Sequence, residues 1–308
     1  MTDKPQISIV SVTYRSYEDT RDFVESVYRN TFTPYEFIIG VNGRVEDKLA
    51  EYLIEQERLG KVKLVWNPTN VGVRAFNQVM RLASTDFVFR CDSDIIIGEP
   101  YWDQRMVDQL KTSGKEIGQV VAVGTSNTKG FQIPRTASTT EVDMIMSNCM
   151  LIDRLQAQTI THCLRGRLPA MREYVTSRLE GSENYIGELE DLKATLEYAA
   201  YHAPWWDLQF GGPSESRGYG SDDMWWSIMA RWAGLKLVTS RARVFHKDAS
   251  ARPGYEAERH RLVARGFQFM RTSLSLIMDC WDTDKWMELP NRLPPLVEFR
   301  NSTKATSV

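Results

Sequence analysis

Two carboxylates two residues apart, Asp92 and Asp94, stand at the end of the apolar run Phe87-Val88-Phe89-Arg90-Cys91 and ahead of Ile95-Ile96-Ile97. Taken as one buried strand over residues 87–97, the run turns alternate side chains to one face, so both acids point the same way. Paired carboxylate oxygens at a strand's exit suit Mg²⁺ or Mn²⁺, ions that keep coordination positions open for substrate oxygens such as those of a diphosphate. The spacing alone is a weak signal. At average composition Asp-x-Asp arises roughly once by chance in a chain this long, and Asp282-Thr283-Asp284 supplies a second copy in a polar stretch.

Context separates the two copies. Runs of mostly continuous apolar character at 7–12, 36–41, 62–66 and 86–91 alternate with helical stretches at 17–30, 46–58 and 73–83. Strands without clean alternation, separated by helices, imply a mainly parallel sheet covered on both faces. Such sheets bind ligands beyond the carboxyl ends of their strands. That rule sets Thr13-Tyr14-Arg15, Asn42-Gly43, the stretch from Asn67 to Asn70, and Asp92-Ser93-Asp94 along one rim. No GxGxxG follows the first strand and no GxxxxGK[ST] occurs, so metal and side chains must hold any pyrophosphate.

The chain has 308 residues, enough for one large α/β domain or for a domain with an appended helical part. With 38 basic against 40 acidic residues the formal charge is -2, which offers no excess for nucleic acid. Cys91, Cys149, Cys163 and Cys280 show no CxxC spacing, which favours reduced thiols in a cytoplasmic protein over disulfides or a zinc site. The N-terminus lacks the apolar run of a signal peptide, and no stretch approaches the roughly 20 apolar residues of a membrane span. Residues 259–278 carry an apolar stripe (Leu262, Val263, Phe267, Met270, Leu274, Ile277) beside Arg261, Arg265 and Arg271. That pattern suits peripheral contact with the inner membrane face, and it is also what a helix packed on its own domain needs.

Together these segments resemble the nucleotide-sugar glycosyltransferases of the GT-A fold, especially inverting family 2. The opening Ile7 to Arg15 is similar to that family's first strand and nucleotide loop. Asn67-Pro68-Thr69-Asn70-Val71-Gly72, followed by Arg74 and Asn77, resembles its NPxNxG and the helix after it. Asp92-Ser93-Asp94 matches its DxD element, and 142–152 looks like the strand that follows the donor site. The resemblance implies that Thr13, Tyr14, Arg15, Asn42, Asn70, Arg74, Asn77, Asp92 and Ser93 contact the donor, and that Asp92 and Asp94 hold the metal. Val41 stands where many relatives carry an acid for the base, a departure that weakens the nucleotide assignment; UDP or dTDP sugars are still expected ahead of GDP sugars, with Asn42 offering its amide to a pyrimidine.

In the second half, Asp222-Asp223 opens a helical pattern that ends at Ala233-Gly234 before Leu235 to Val238, similar to the family's acidic pair. Acids at a helix start also serve as simple caps; the flanking pattern is what assigns Asp223, with Asp222 beside it, to catalysis. Inverting transfer needs one base, because the acceptor hydroxyl attacks the anomeric carbon directly and loses its proton as the bond forms. His246, at the end of the stretch from Val238, completes the metal site by resemblance, and a lone histidine at a strand end has bland uses too.

The expected architecture is therefore α/β, a GT-A fold (Rossmann-like, mainly parallel sheet) with a helical insertion and C-terminal helices. The expected divisions are a donor half at 1–152, an insertion at 153–219 forming the acceptor part, a catalytic and metal-site segment at 220–250, and a helical tail at 251–308. The expected activity is Mn²⁺- or Mg²⁺-dependent inverting transfer of a hexose to a glycan or lipid-linked hydroxyl. A sugar-nucleotide pyrophosphorylase or a non-catalytic glycan- or nucleotide-binding protein is the alternative; the former would show a glycine-rich phosphate loop after its first strand, and this chain has none.

Overall fold

The computed structural model describes residues 4–14, 16–72, 75–125, 141–142, 145, 148–158, 160, 226–227, 230 and 234–247. The first half builds a βα alternation: β1 Ile7–Thr13, α1 Tyr17–Asn30, β2 Tyr35–Asn42, α2 Asp47–Arg58, β3 Lys63–Asn67, α3 Ala75–Leu82 and β4 Phe87–Asp92. Then follow β5 Ile95–Ile97, α4 Trp102–Ile117, β6 Val120–Thr125, β7 Glu141–Val142, β8 Cys149–Asp153, β9 Lys236–Ser240 and β10 Val244–His246.

One eight-stranded sheet runs β3-β2-β1-β4-β8-β6-β9-β7, and β10 pairs with β5 in a second sheet of two strands. The pairs β1/β2, β2/β3 and β1/β4 are parallel, whereas β8 is antiparallel to both β4 and β6. β9 returns parallel to β6, and β7 closes the edge antiparallel. The sheet is thus mainly parallel, as the expected fold class requires.

Burial on both faces explains why the strands read as continuous apolar runs. Ile7, Ile9, Phe37, Ile39, Val41, Phe89 and Cys91 join one buried cluster with Phe23, Val24 and Val27 of α1, Leu49 and Leu53 of α2, and Trp102, Met106 and Leu110 of α4. The alternate residues of these strands face α3. A Cβ on Gly40 would stand 3.2 Å from Val79, so a residue without a side chain lets α3 approach β2 closely.

Three expectations on local structure change. The run 87–97 is not one strand: β4 ends at Asp92, Ser93 and Asp94 form a turn, and Ile95–Ile97 pairs with Val244–His246. Strand alternation therefore aligns Arg90 with Asp92, and it is the turn that brings Asp94 alongside. Likewise 142–152 divides into β7 at the sheet edge and β8 between β4 and β6, and the segment ending at His246 divides into β9 and β10, which belong to different sheets. α4 and β6 were not anticipated from sequence, although Trp102, Met106 and Leu110 fall at one-turn intervals and Gly118 with φ 93 stops the helix.

The expected insertion at 153–219, except its first residues, and the tail at 251–308 lie outside the described residues, as do Arg15, Arg74, Asp222 and Asp223. The helix expected after the acidic pair is represented by residues 226, 227 and 230, which are helical and buried. Its end follows a glycine C-cap: Gly234 has φ 76, and Leu235 N–H donates to Ala230 O at 3.0 Å. Among the described residues no helix is long and apolar enough to cross a membrane.

Candidate active site

Two loop systems sit at the carboxyl edge of β1, β2, β3 and β4. The first joins β2 to the segment after β3. Asn42, 2 % exposed, donates through Nδ2 to Asn70 Oδ1 at 2.7 Å and to Gly72 O at 3.0 Å, and its Oδ1 accepts from Val71 N at 2.9 Å. Gly72 N also donates to Asn70 Oδ1 at 2.9 Å. Gly43 follows with φ 81, and a Cβ there would lie 2.9 Å from Asn70 N. Both Asn42 N–H groups are therefore engaged in holding the 70–72 loop, so the donor that sequence offered to a pyrimidine has another task. Thr13 is fully buried with its hydroxyl bonded to that of Thr20, which fixes the exit of β1 to α1. Ser16 caps α1 by accepting from Asp19 N at 3.4 Å. Tyr14 is half-buried between these two anchors, and Asn70 is exposed.

The second system is the turn after β4. Asp92, Asp94 and His246 each offer a ligand atom, and these atoms lie within 4.8 Å of one another. His246 arrives through the β10/β5 pairing, in register with Ile95, and its Nε2 stands 3.3 Å from Asp94 Oδ1. Adjacent ligands of a six-coordinate ion with bonds near 2.1 Å are about 3 Å apart, so this spacing fits a shared cation. Two carboxylates with one imidazole form an O,O,N donor set that Mn²⁺ or Mg²⁺ accepts.

Several groups hold this corner in place. Lys247 N–H donates to Asp94 O at 2.8 Å, and the Lys247 ammonium pairs with Asp19 at 3.3 Å and with Asp22, tying the end of β10 to the first turns of α1. The hydrogen bond from Lys247 holds the Asp22 carboxyl below its usual range against the opposing effect of burial. On the sheet side, Asp92 N–H donates to Asn148 O at 2.8 Å. Arg90, 2 % exposed, sets Nη1 2.8 Å from Asp92 Oδ1 and rests its guanidinium 4.1 Å from the Phe76 ring centroid. Arg90 and Asn148 were not singled out from sequence. The signal for Arg90 was an arginine inside an apolar strand, two residues before an acid and hence on its face.

Not every polar group at this edge is satisfied within the described residues. Asn67 Nδ2, Asn77 Oδ1 and Asn148 Nδ2 are buried without a hydrogen-bond partner there. Cys91 and Cys149, opposite one another across β4 and β8, are free thiols with Sγ atoms 3.9 Å apart. Burial pushes the Cys91 thiol well above its ordinary range, so it is an inert core residue.

The sequence model described as glycosyl transferase family 2 matches residues 8–175, more than half of the chain, and takes in both loop systems except His246 and Lys247. The chain belongs to glycosyl transferase family 2. It is a glycosyltransferase with the GT-A arrangement. A comparison with curated proteins finds no significant match. Similar solved structures include a mannosyltransferase from Pyrobaculum calidifontis in complex with GDP-Man and Mn²⁺, with 14 % identity and a TM-score of 0.49, covering 100 % of this chain and 77 % of that one. GalNAc-T7 with UDP, GalNAc and Mn²⁺ shows 14 % identity and a TM-score of 0.48 over 79 % of this chain and 44 % of that one. TarS from S. aureus shows 12 % identity and a TM-score of 0.46; the match covers 86 % of this chain and 43 % of TarS.

Proposed function

We propose that this glycosyltransferase is metal-dependent and inverting, and that it moves a hexose from a nucleoside diphosphate sugar to a hydroxyl of a glycan or lipid-linked acceptor. The convergence of Asp92, Asp94 and His246 at the carboxyl edge of the sheet carries the reading. In it, Asp94 and His246 hold Mn²⁺ or Mg²⁺ with one oxygen of Asp92. The bound cation supplies Lewis-acid stabilisation of the negative charge that develops on the leaving diphosphate. By their place in the family's motifs, Tyr14, Arg15, Asn70, Arg74 and Ser93 contact the donor, whereas Thr13, fully buried with its hydroxyl on that of Thr20, shapes the loop instead of touching the donor as expected from sequence. Asn77 supports this, because its buried Oδ1 has no partner among the described residues, a state that costs about 1–3 kcal/mol until an N–H or O–H group fills it.

Asp223 takes the proton from the attacking hydroxyl, with Asp222 beside it, by their place in the family's acidic motif. The direct attack leaves no sugar bound to the enzyme. All three hydrogen bonds of the buried Asn42 side chain are made to residues 70–72, so it does not select the base, and UDP, dTDP and GDP donors all stay in the test. A thermal-shift screen of these nucleotide sugars with and without Mn²⁺ identifies the donor, since a ligand of the folded state raises its melting temperature by mass action. The expected result is a shift that needs Mn²⁺, with slow release of nucleoside diphosphate. A shift of equal size in the presence of chelator would overturn the metal-dependent reading.

A further inference from the structure

We propose that Asn148 is a donor-site residue whose side-chain N–H takes a hydroxyl oxygen of the transferred sugar. The inference rests on the nucleotide-sugar reading above and deepens it, because it assigns the contact to the sugar and not to the nucleotide. Asn148 precedes β8 and lies opposite Asp92 across the β4/β8 ladder: Asp92 N–H donates to Asn148 O at 2.8 Å, one step beyond the Cys91/Cys149 pair. Residues opposite one another in an antiparallel ladder turn their side chains to the same face, with Cβ atoms about 5 Å apart. The Asn148 side chain therefore stands beside a carboxylate of the candidate cation site. Its amide is held from within. Oδ1 accepts from Cys149 N at 2.9 Å, which identifies the oxygen and leaves Nδ2 as the group turned away from that bond. Asn148 is 5 % exposed, and Nδ2 has no partner among the described residues. An N–H shut away from solvent without an acceptor is costly, and binding an oxygen removes that cost.

A second group on this side of the sheet selects the chemistry of the ligand. Phe76 of α3 lays its ring on Arg90, two residues before Asp92 and on the same face, so α3 covers this face. The next residue along α3, Asn77, is 3 % exposed, and its Oδ1 also has no partner among the described residues. One of the two groups is a donor and the other an acceptor. Ionised phosphate oxygens only accept, so a diphosphate can answer Asn148 and not Asn77. A sugar hydroxyl both donates and accepts, so the hydroxyls of one ring beside the cation can answer both.

Isothermal titration of the full chain in Mn²⁺ with UDP-glucose against UDP, dTDP-glucose against dTDP and GDP-mannose against GDP tests this. For a pair that binds the unchanged protein, Asn148→Ala should weaken the nucleotide sugar about tenfold and leave the bare nucleotide within about twofold. Asn148→Ser, which puts a short O–H in place of the N–H, should lose less. Asn77→Ala should show the same preference for loss of the sugar form with an unchanged or higher melting temperature, since it removes an unpaired acceptor from a helix. Equal losses for the sugar and the bare nucleotide in Asn148→Ala would put the contact on the diphosphate, or make the residue structural, and overturn the assignment to the sugar. No loss for either would leave the N–H to water and overturn it as well, as would failure of both Asn148 variants to fold by circular dichroism. If no nucleotide or nucleotide sugar binds the unchanged protein, the donor reading falls and takes the inference with it; if they bind and Asn148→Ala binds them equally well, the inference alone falls.

Discussion

The two loop systems at the sheet's carboxyl edge differ in how their polar groups are satisfied. Around Asn42, Asn70 and Gly72 the amides bond one another and the nearby backbone, and Gly43 packs against Asn70. Around Asp92 and Asp94 two like charges are brought together with an imidazole, partly open to solvent, and backed by cations anchored behind them. The first arrangement holds the chain in shape. The second stores unfavourable electrostatics that a bound cation would relieve, which is how reactive corners differ from structural ones. Asparagines and aspartates in neighbouring loops thus have different tasks, and the hydrogen-bond accounting separates them.

The sharpest way to break this contrast is Asp94→Asn. Activity, measured as kcat/KM for the donor, should fall about 10²- to 10³-fold, while the melting temperature holds or rises as like-charge repulsion is relieved. A loss of activity accompanied by unfolding would erase the distinction. Asn42→Ala probes the opposite loop and should behave in reverse. Losing three hydrogen bonds there should cost about 2–3 kcal/mol in chemical denaturation, with donor KM moved less than about threefold in protein that remains folded. A large KM effect with normal stability would assign Asn42 to the donor after all.

His246→Ala should lower Mn²⁺ affinity about tenfold without affecting stability, because the backbone pairing of β10 with β5 does not depend on the ring. Unchanged Mn²⁺ activation would remove the imidazole from the site. The smallest effect concerns the clamp behind it. Asp22 has its carboxyl held below the ordinary value in the folded state, so its contribution is present above about pH 4 and disappears as pH falls through the lower folded value. Lys247→Met should reduce that contribution, with Arg21 keeping the rest, and move the acid-unfolding midpoint slightly upward; an identical acid profile would leave Lys247 with no part in holding β10.

Much of this architecture was legible in the chain. The helix 17–30 is found with those bounds, since Ser16 caps it and Phe23, Val24 and Val27 mark its buried side. β1, β2 and β4 lie within a residue or so of expectation, because both faces of each are covered. The break after Asp92 was hidden by composition: Ile95-Ile96-Ile97 continues the apolar run, but its pairing partner is Val244–His246, about 150 positions along. Pairings that distant leave no local trace. The same holds for Lys247, whose bonds to Asp19 and Asp22 are set by the arrival of β10 beside α1. Asn42 illustrates a subtler gap: an asparagine at a strand exit looks identical whether it faces a ligand or staples a loop, and only the Asn70 and Gly72 geometry decides.

The most direct measurement is anomalous X-ray scattering from crystals grown with Mn²⁺ and a nucleoside diphosphate. The account expects one Mn²⁺ peak at coordination distance, about 2.2 Å, from Asp94 and His246 and beside the Asp92 carboxylate. A peak elsewhere, or none at saturating Mn²⁺ with the nucleotide bound, would contradict it.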